Sequence, residues 1–181
     1  MDDMRVLERR PIFAGKVVDL AVERVELPNG NTTELEIVRH PGAAAVVPVR
    51  ADGEVLLVRQ YRHAAGQWLL EVPAGTLEPG ETPENCASRE IQEEVGVRGN
   101  RLDPLGWLWT TPGFTDEKIH LFLARDLEAV SQALEDDEVL SIAHMPLATA
   151  VGKAHDGEIC DAKSICALLR ADQFLRHERG V

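Results

Sequence analysis

The chain has 181 residues, 44% of them hydrophobic and 28% charged, which is enough to bury the core of one globular domain. No apolar run approaches the roughly 20 residues that cross a bilayer, and the opening MDDMRVLERRPIF lacks the apolar stretch of a secretory signal, so a soluble, cytoplasmic protein without a membrane partner is expected. A net charge of -12 argues against a nucleic-acid partner, since such surfaces gain their affinity from Lys and Arg; it also means that any chemistry on an anionic phosphate ester needs cations to intervene.

In chain order, Val17 to Leu27 and Thr33 to Val38 alternate apolar and β-branched residues around the turn sequence PNGN, which predicts a hairpin. Ala43 to Val49 and Glu54 to Arg62 are near-continuous apolar runs separated by Asp52-Gly53, as buried strands are, and Trp68 to Val72 reads as another strand. The period then changes. Thr82 is a good N-cap, Pro83 suits the first helical position, Glu84 favours the positive helix end and Gly96 is a natural stop, so a helix of about three and a half turns is expected between them. WLWTTPGFTDEKIHLFLA reads as strand, loop and strand, and LEDDEVLSIAHMPL as an acidic loop entering a further strand. The segment AKSICALLRADQFLR closes the chain as an amphipathic helix with Ile165, Leu168, Leu169 and Phe174 apolar. Strands and helices interleave without a regular βαβ rhythm, which implies a mixed sheet between helices. The three cysteines, Cys86, Cys160 and Cys166, form no CxxC pair and are expected to be reduced and partly buried.

The central helix carries the most informative chemistry. Glu90, Glu93 and Glu94 stand at i, i+3 and i+4 and so share one side within an arc of about 100°. Carboxylates at this spacing repel one another. Arg89 can pair with Glu93 one turn on, but this leaves Glu90 and Glu94 uncompensated. A hard divalent cation such as Mg²⁺ or Mn²⁺, which takes oxygen ligands and keeps room for substrate phosphates, would resolve the conflict. Alone, the pattern is also that of a solvated acidic face.

The surrounding residues favour the cation. GTLEPGETPENCASREIQEEVGV, Gly75 to Val97, resembles the Nudix box, with Gly75, Glu81, Arg89, Glu90, Ile91, Glu93, Glu94, Gly96 and Val97 at every specified position. LPNG, HPGAAAVVPV, VRQYRHA, LLEVPAG, TTPGFTDEKIHLFLA, DDEVLSIAHMPL and DGEICDAKSICAL extend the resemblance from about Val17 to Leu169, toward the ADP-ribose pyrophosphatase branch of that family. Pro112, fifteen residues beyond Val97, is associated in the family with ADP-ribose specificity, although a Pro-Gly loop also serves simply as a turn.

The resemblance implies a Nudix-type α/β/α sandwich with a mixed sheet, residues 41–181, preceded by an N-terminal antiparallel hairpin, residues 1–40, that takes part in a homodimer. It implies hydrolysis of the pyrophosphate bond of a small nucleoside diphosphate sugar, ADP-ribose first, to AMP and ribose 5-phosphate. Glu90 and Glu94 would be central metal ligands, the Ala74 carbonyl would complete the shell, and Glu93 would be either a further ligand or the partner that orients Arg89. Gly75 is expected to end a strand and permit a tight loop. A general base is expected from the acidic loop, Glu138 first and Asp137 next. Arg62 matches a position that contacts the diphosphate, and Glu36 and Glu117 match positions near substrate. The branch often carries an Arg before Glu36 where this chain has Leu35; Arg39, where an acidic residue is more usual, is the candidate replacement. Trp68, Trp107 and Trp109 could stack on adenine, but core positions are expected for them. GDP-mannose, another nucleotide sugar or a dinucleotide would suit the same box, and a Nudix-fold sensor without turnover is the alternative outside enzymology. The chain lacks GxxxxGK[ST] and HExxH, so P-loop and HExxH zinc chemistry find no support.

Overall fold

A computed structural model describes residues 4–134 and 139–180, in two compact units. The first comprises Met1–Gly42 and Trp109–Lys118, and the second Ala43–Leu108 and Ile119–Val181.

The first unit is built on a three-stranded antiparallel sheet of β1 (Arg5–Ala14), β2 (Asp19–Glu26) and β3 (Thr32–Arg39), with β2 central. The expected hairpin is β2–β3. Its turn closes through Leu27 N–H to Asn31 O and Gly30 N–H to Leu27 O, with Gly30 at φ 82°, a conformation that favours glycine. Strand β1 was not legible, because it is almost wholly exposed and carries little apolar alternation. Charge ties it to β2 instead: Arg5 meets Glu26, Arg24 meets Glu8, and Arg9 meets Asp19. Pro11 is tolerated because β1 is an edge strand with a register shift at Pro11/Phe13.

The second unit holds two sheets. One, in the order β7-β4-β9-β8, is mixed: β4 (Ala43–Pro48) runs antiparallel to β7 (Ala74–Thr76) and parallel to β9 (Lys118–Ala129), which neighbours β8 (Val97–Trp109). The other is antiparallel, with β5 (Glu54–Arg62) between β6 (Gln67–Glu71) and β10 (Leu140–Pro146). The apolar runs of β4 and β5 are continuous because both faces are covered. Ala44, Val46, Leu56 and Val58 pack under α1 (Pro83–Val95), together with Phe122 and Ala124. Ala45, Val47, Val55 and Leu57 face the opposite way, onto α2 (Leu147–Asp156) and α3 (Ala162–Arg179). Alternate residues therefore serve opposite helical layers, giving the α/β/α sandwich.

Helix α2 also escaped the sequence reading. It buries Leu147, Ala150 and Ala154, mostly alanines, and its N-cap, Pro146, makes no side-chain capping bond. On α3 the most deeply buried residues are Ser164, Ala167, Leu168 and Ala171, so small side chains let this helix approach closely. Cys86 is buried and Cys166 half-buried as expected, but Cys160 is exposed. None of the three tryptophans is a core residue: Trp68 stands 44% exposed and Trp107 and Trp109 each 45%, which corrects the expectation drawn from their size. Among the described residues no helix is long and apolar enough to cross a membrane.

Candidate active site

Helix α1 starts where the Thr82 side chain accepts from Asn85 N–H, and it stops where Gly96, at φ 63°, turns its N–H back to Gln92 O. Between these ends the apolar face decides which side turns inward. Cys86, Ala87, Ile91 and Val95 enter the core, and Glu90 and Glu94 lie beside them, 6% and 2% exposed. Burying two carboxylates costs several kcal/mol per ion unless each is paired and hydrogen-bonded.

The neighbouring strand and Arg89 supply those partners. Ala74 N–H donates to Glu94 Oε2 at 3.0 Å, and Arg89 Nη1 donates to Glu90 Oε1 at 2.7 Å. Glu90 is therefore not left uncompensated by Arg89, contrary to the expectation from spacing. The guanidinium's main grip is on Glu81, with Nε to Oε1 and Nη2 to Oε2 both at 3.0 Å; Nη1 also reaches Glu93 Oε2 at 3.0 Å and Nη2 reaches Thr76 O at 3.2 Å. Arg89 holds the Glu81 carboxyl below its ordinary range. Burial, then the charge of Glu90, pushes the Cys86 thiol up to about 12, so it stays protonated behind the carboxylates.

Gly75 has a different role from the one expected. It lies within β7, not at a strand end, and its φ is not positive. A Cβ there would sit 1.7 Å from Glu90 Oε1 and 2.1 Å from its carboxyl carbon. Glycine is needed because the Glu90 carboxylate lies against the strand backbone.

Among the described residues no three acidic, histidine or cysteine side chains already converge on one point, but the type of donor suits a hard divalent ion. Arg89 bonds to three carboxylates, Glu81, Glu90 and Glu93, while Glu94 beside them takes the Ala74 N–H. Carboxylate oxygens match Mg²⁺ or Mn²⁺ better than softer metals.

Beside Arg62 the structure adds Glu71, Lys163 and Gln60, to which sequence reasoning gave no role. Arg62, at the end of β5, forks onto buried Glu71 through Nε to Oε1 at 2.9 Å and Nη2 to Oε2 at 2.8 Å. Lys163 of α3 donates to the same Glu71 Oε2 and to Asp161 Oδ2 at 3.0 Å. Burial alone would raise the Glu71 carboxyl, but Arg62 and Lys163 outweigh it and hold it below its ordinary value. Among the described residues Gln60 Oε1 is buried without a hydrogen-bond partner. Glu71 and Lys163 stand in LLEVPAG and AKSIC, so the segments were visible, but their pairing is tertiary.

Glu36, Arg39, Pro112 and Glu117 belong to the first unit. Glu36 is exposed on β3. Arg39 is committed to Glu23 Oε1 at 2.8 Å and Asp116 Oδ2 at 3.0 Å. Pro112 lies in a loop closed by Phe114 N–H and Thr115 N–H onto Thr111 O, and Val38 N–H anchors that loop at Phe114 O. Thr110 Oγ1 donates to Glu117 Oε2 at 2.8 Å. Asp137 and Glu138 lie outside the described residues. The chain approaching them is tied to the end of α1, with Ala133 N–H on Glu93 O and Gln132 Nε2 on Glu94 O.

The sandwich packs an acidic helix, with Glu90 and Glu94 buried, against the strand that carries Ala74 and Gly75, and comparison with known proteins gives its family. The NUDIX domain model matches residues 38–168. An ADP-ribose pyrophosphatase of Bacillus subtilis (strain 168) is 40% identical over 91% of this chain and 90% of its own. A methanol dehydrogenase activator of Bacillus methanolicus is 38% identical over 96% of each chain, and a GDP-mannose pyrophosphatase of Cronobacter sakazakii (strain ATCC BAA-894) is 36% identical over 74% of this chain and 78% of its own. A crystal structure of an ADP compounds hydrolase superposes with a TM-score of 0.87 at 25% identity, covering 100% of this chain and 98% of that one. The chain belongs to the NUDIX family and is a Nudix pyrophosphohydrolase. Hydrolases of this family generally use divalent metal ions.

Proposed function

We propose that this protein hydrolyses the pyrophosphate bond of ADP-ribose to AMP and ribose 5-phosphate, with Mg²⁺ or Mn²⁺, as a cytoplasmic homodimer. The observation that carries the chemistry is the pair of buried carboxylates, Glu90 and Glu94, held against Gly75 and Ala74 with Arg89 at their side. The substrate rests on the B. subtilis relative and on Pro112.

Glu90, Glu94 and the Ala74 carbonyl would hold the ion, which when bound neutralises phosphate charge and activates the attacking water. Glu93, bonded to Arg89 at 3.0 Å, would be either a further ligand or the partner that orients that arginine. Arg62 supplies a planar fork for diphosphate oxygens. Glu138 is the proposed general base, a role that rests on the resemblance of DDEVLSIAHMPL to the family. Glu36, Arg39, Pro112 and Glu117 are proposed to recognise the remainder of the substrate. Residues 1–40 would contribute to the dimer and residues 41–181 would form the hydrolase. The β1 edge, with Val6, Ile12 and Phe13 exposed, supports that pairing.

The second reading is hydrolysis of GDP-mannose, favoured by the C. sakazakii relative and by Leu35 in place of an arginine. The discriminating experiment is phosphate release, coupled to an added phosphatase, over a panel of ADP-ribose, GDP-mannose, other nucleotide sugars and dinucleotides. ADP-ribose is expected to give the highest kcat/KM, and a chelator is expected to abolish turnover. A higher kcat/KM with GDP-mannose would replace the substrate, while turnover in excess chelator would remove the metal from the mechanism.

A further inference from the structure

Arg62 is proposed above to meet the diphosphate, yet the carboxylate it grips, Glu71, carries an opposite charge and is only 1% exposed. An arginine bound edge to edge to a carboxylate is a neutral pair with little pull on a third, anionic group. A second cation alters that balance. Lys163 reaches the same Glu71 Oε2 from the first turn of α3, so one buried carboxylate is shared by two cations, and with Asp161 the four groups sum to zero where without Lys163 they would sum to one negative charge. Asp161, the other partner of Lys163, is itself engaged by the helix N-terminus: Ser164 N–H donates to its Oδ2 at 3.0 Å, and Ser164 Oγ donates to it at 2.5 Å. The arrangement also fixes geometry. Arg62 uses Nε and Nη2 on Glu71, and its side chain remains 41% exposed, whereas that of Lys163 is only 13% exposed. Ser164 Oγ accepts from Val72 N–H at 2.9 Å, so the corner of α3 clamps the strand end that carries Glu71.

We propose that Lys163 and Glu71 are positioning residues for substrate binding: Glu71 orients the Arg62 guanidinium, and Lys163 neutralises Glu71 so that the Arg62 charge stays available to an anionic diphosphate. The inference rests on the diphosphate reading above but does not depend on which sugar the diphosphate carries.

The test is a double-mutant cycle between Lys163→Met and Arg62→Ala. It is read as kcat/KM with whichever panel substrate the wild-type protein turns over best, and separately as the Kd for ADP by calorimetry, which needs no turnover. Lys163→Met is expected to weaken ADP binding and raise KM by about tenfold with kcat nearly unchanged, the signature of a contact made equally in ground and transition states. In the Arg62→Ala background the same substitution should change either quantity by less than about twofold, because the arginine through which it acts is gone. Lys163→Arg, which keeps the charge, should recover most of the affinity. Glu71→Gln should also raise KM, but it strands two cations and can fail to fold, so the lysine variants decide. Equal losses from Lys163→Met in both backgrounds, or an unchanged ADP affinity, would overturn the proposal and leave Lys163 a merely structural residue. Failure of ADP-ribose in the panel would change the substrate and leave the cycle intact.

Discussion

At the scale of single residues, the site is governed by close approach. Gly75→Ala places a methyl where the Glu90 carboxylate now lies, 1.7 Å from Oε1, so the carboxylate has to move by more than an ångström to clear 3.0 Å. A displacement of that size costs roughly 100-fold in rate when it misplaces a reacting assembly. We expect Gly75→Ala to lose about two orders of magnitude in kcat and to bind Mn²⁺ more weakly in a titration, while Glu90→Gln and Glu94→Gln each lose more and stay folded. Wild-type kcat and Mn²⁺ affinity in Gly75→Ala would show that Glu90 can move without consequence. Glu138→Gln should lower kcat by about 10²- to 10⁴-fold, the range for a positioned proton acceptor, with metal affinity little altered. If Asp137→Asn alone shows that loss, the base is the neighbouring residue.

Among the elements, α1 matters most, because its apolar face of Cys86, Ala87, Ile91 and Val95 sets the rotation that turns Glu90 and Glu94 inward, while its caps set where it starts and stops. The cap is a single bond, Asn85 N–H to Thr82 Oγ1 at 3.3 Å. Thr82→Ala should cost about 1 kcal/mol, a drop in Tm of about 2 to 4 °C for a chain of this size, with kcat near the wild-type value. A large fall in kcat at an unchanged Tm would mean that Thr82 acts on the site directly. This helix was also the most legible element: its cap, first-turn proline and terminal glycine fall where local chemistry places them. Helix α2 and strand β1 were not, for opposite reasons. The first is alanine buried by its neighbours, and the second is a charged strand held by ion pairs whose partners lie on another strand.

For the whole molecule, the net charge of -12 and the exposed β1 edge lead to distinct expectations. Repulsion within the acidic chain would be relieved locally by the bound ion, so activity should require Mg²⁺ or Mn²⁺. The exposed edge should be covered by a second copy, giving about 40 kDa by light scattering, twice 19.9 kDa. A particle of about 20 kDa at assay concentration with full activity would contradict the dimer.

By itself the sequence determined the sandwich of mixed sheet and helices, the hairpin, the limits of α1 and the box residues, because caps, turns and apolar period act over a few residues and are written in order along the chain. Only the tertiary structure decided how the charges pair. That Arg89 grips Glu81 and also serves Glu90, that Gly75 makes room for a carboxylate, and that Glu71 is shared by Arg62 and Lys163 all depend on side chains distant in sequence being buried together. An ion pair has no sequence period, and a buried carboxylate takes whichever cations the packing brings within about 3 Å of it.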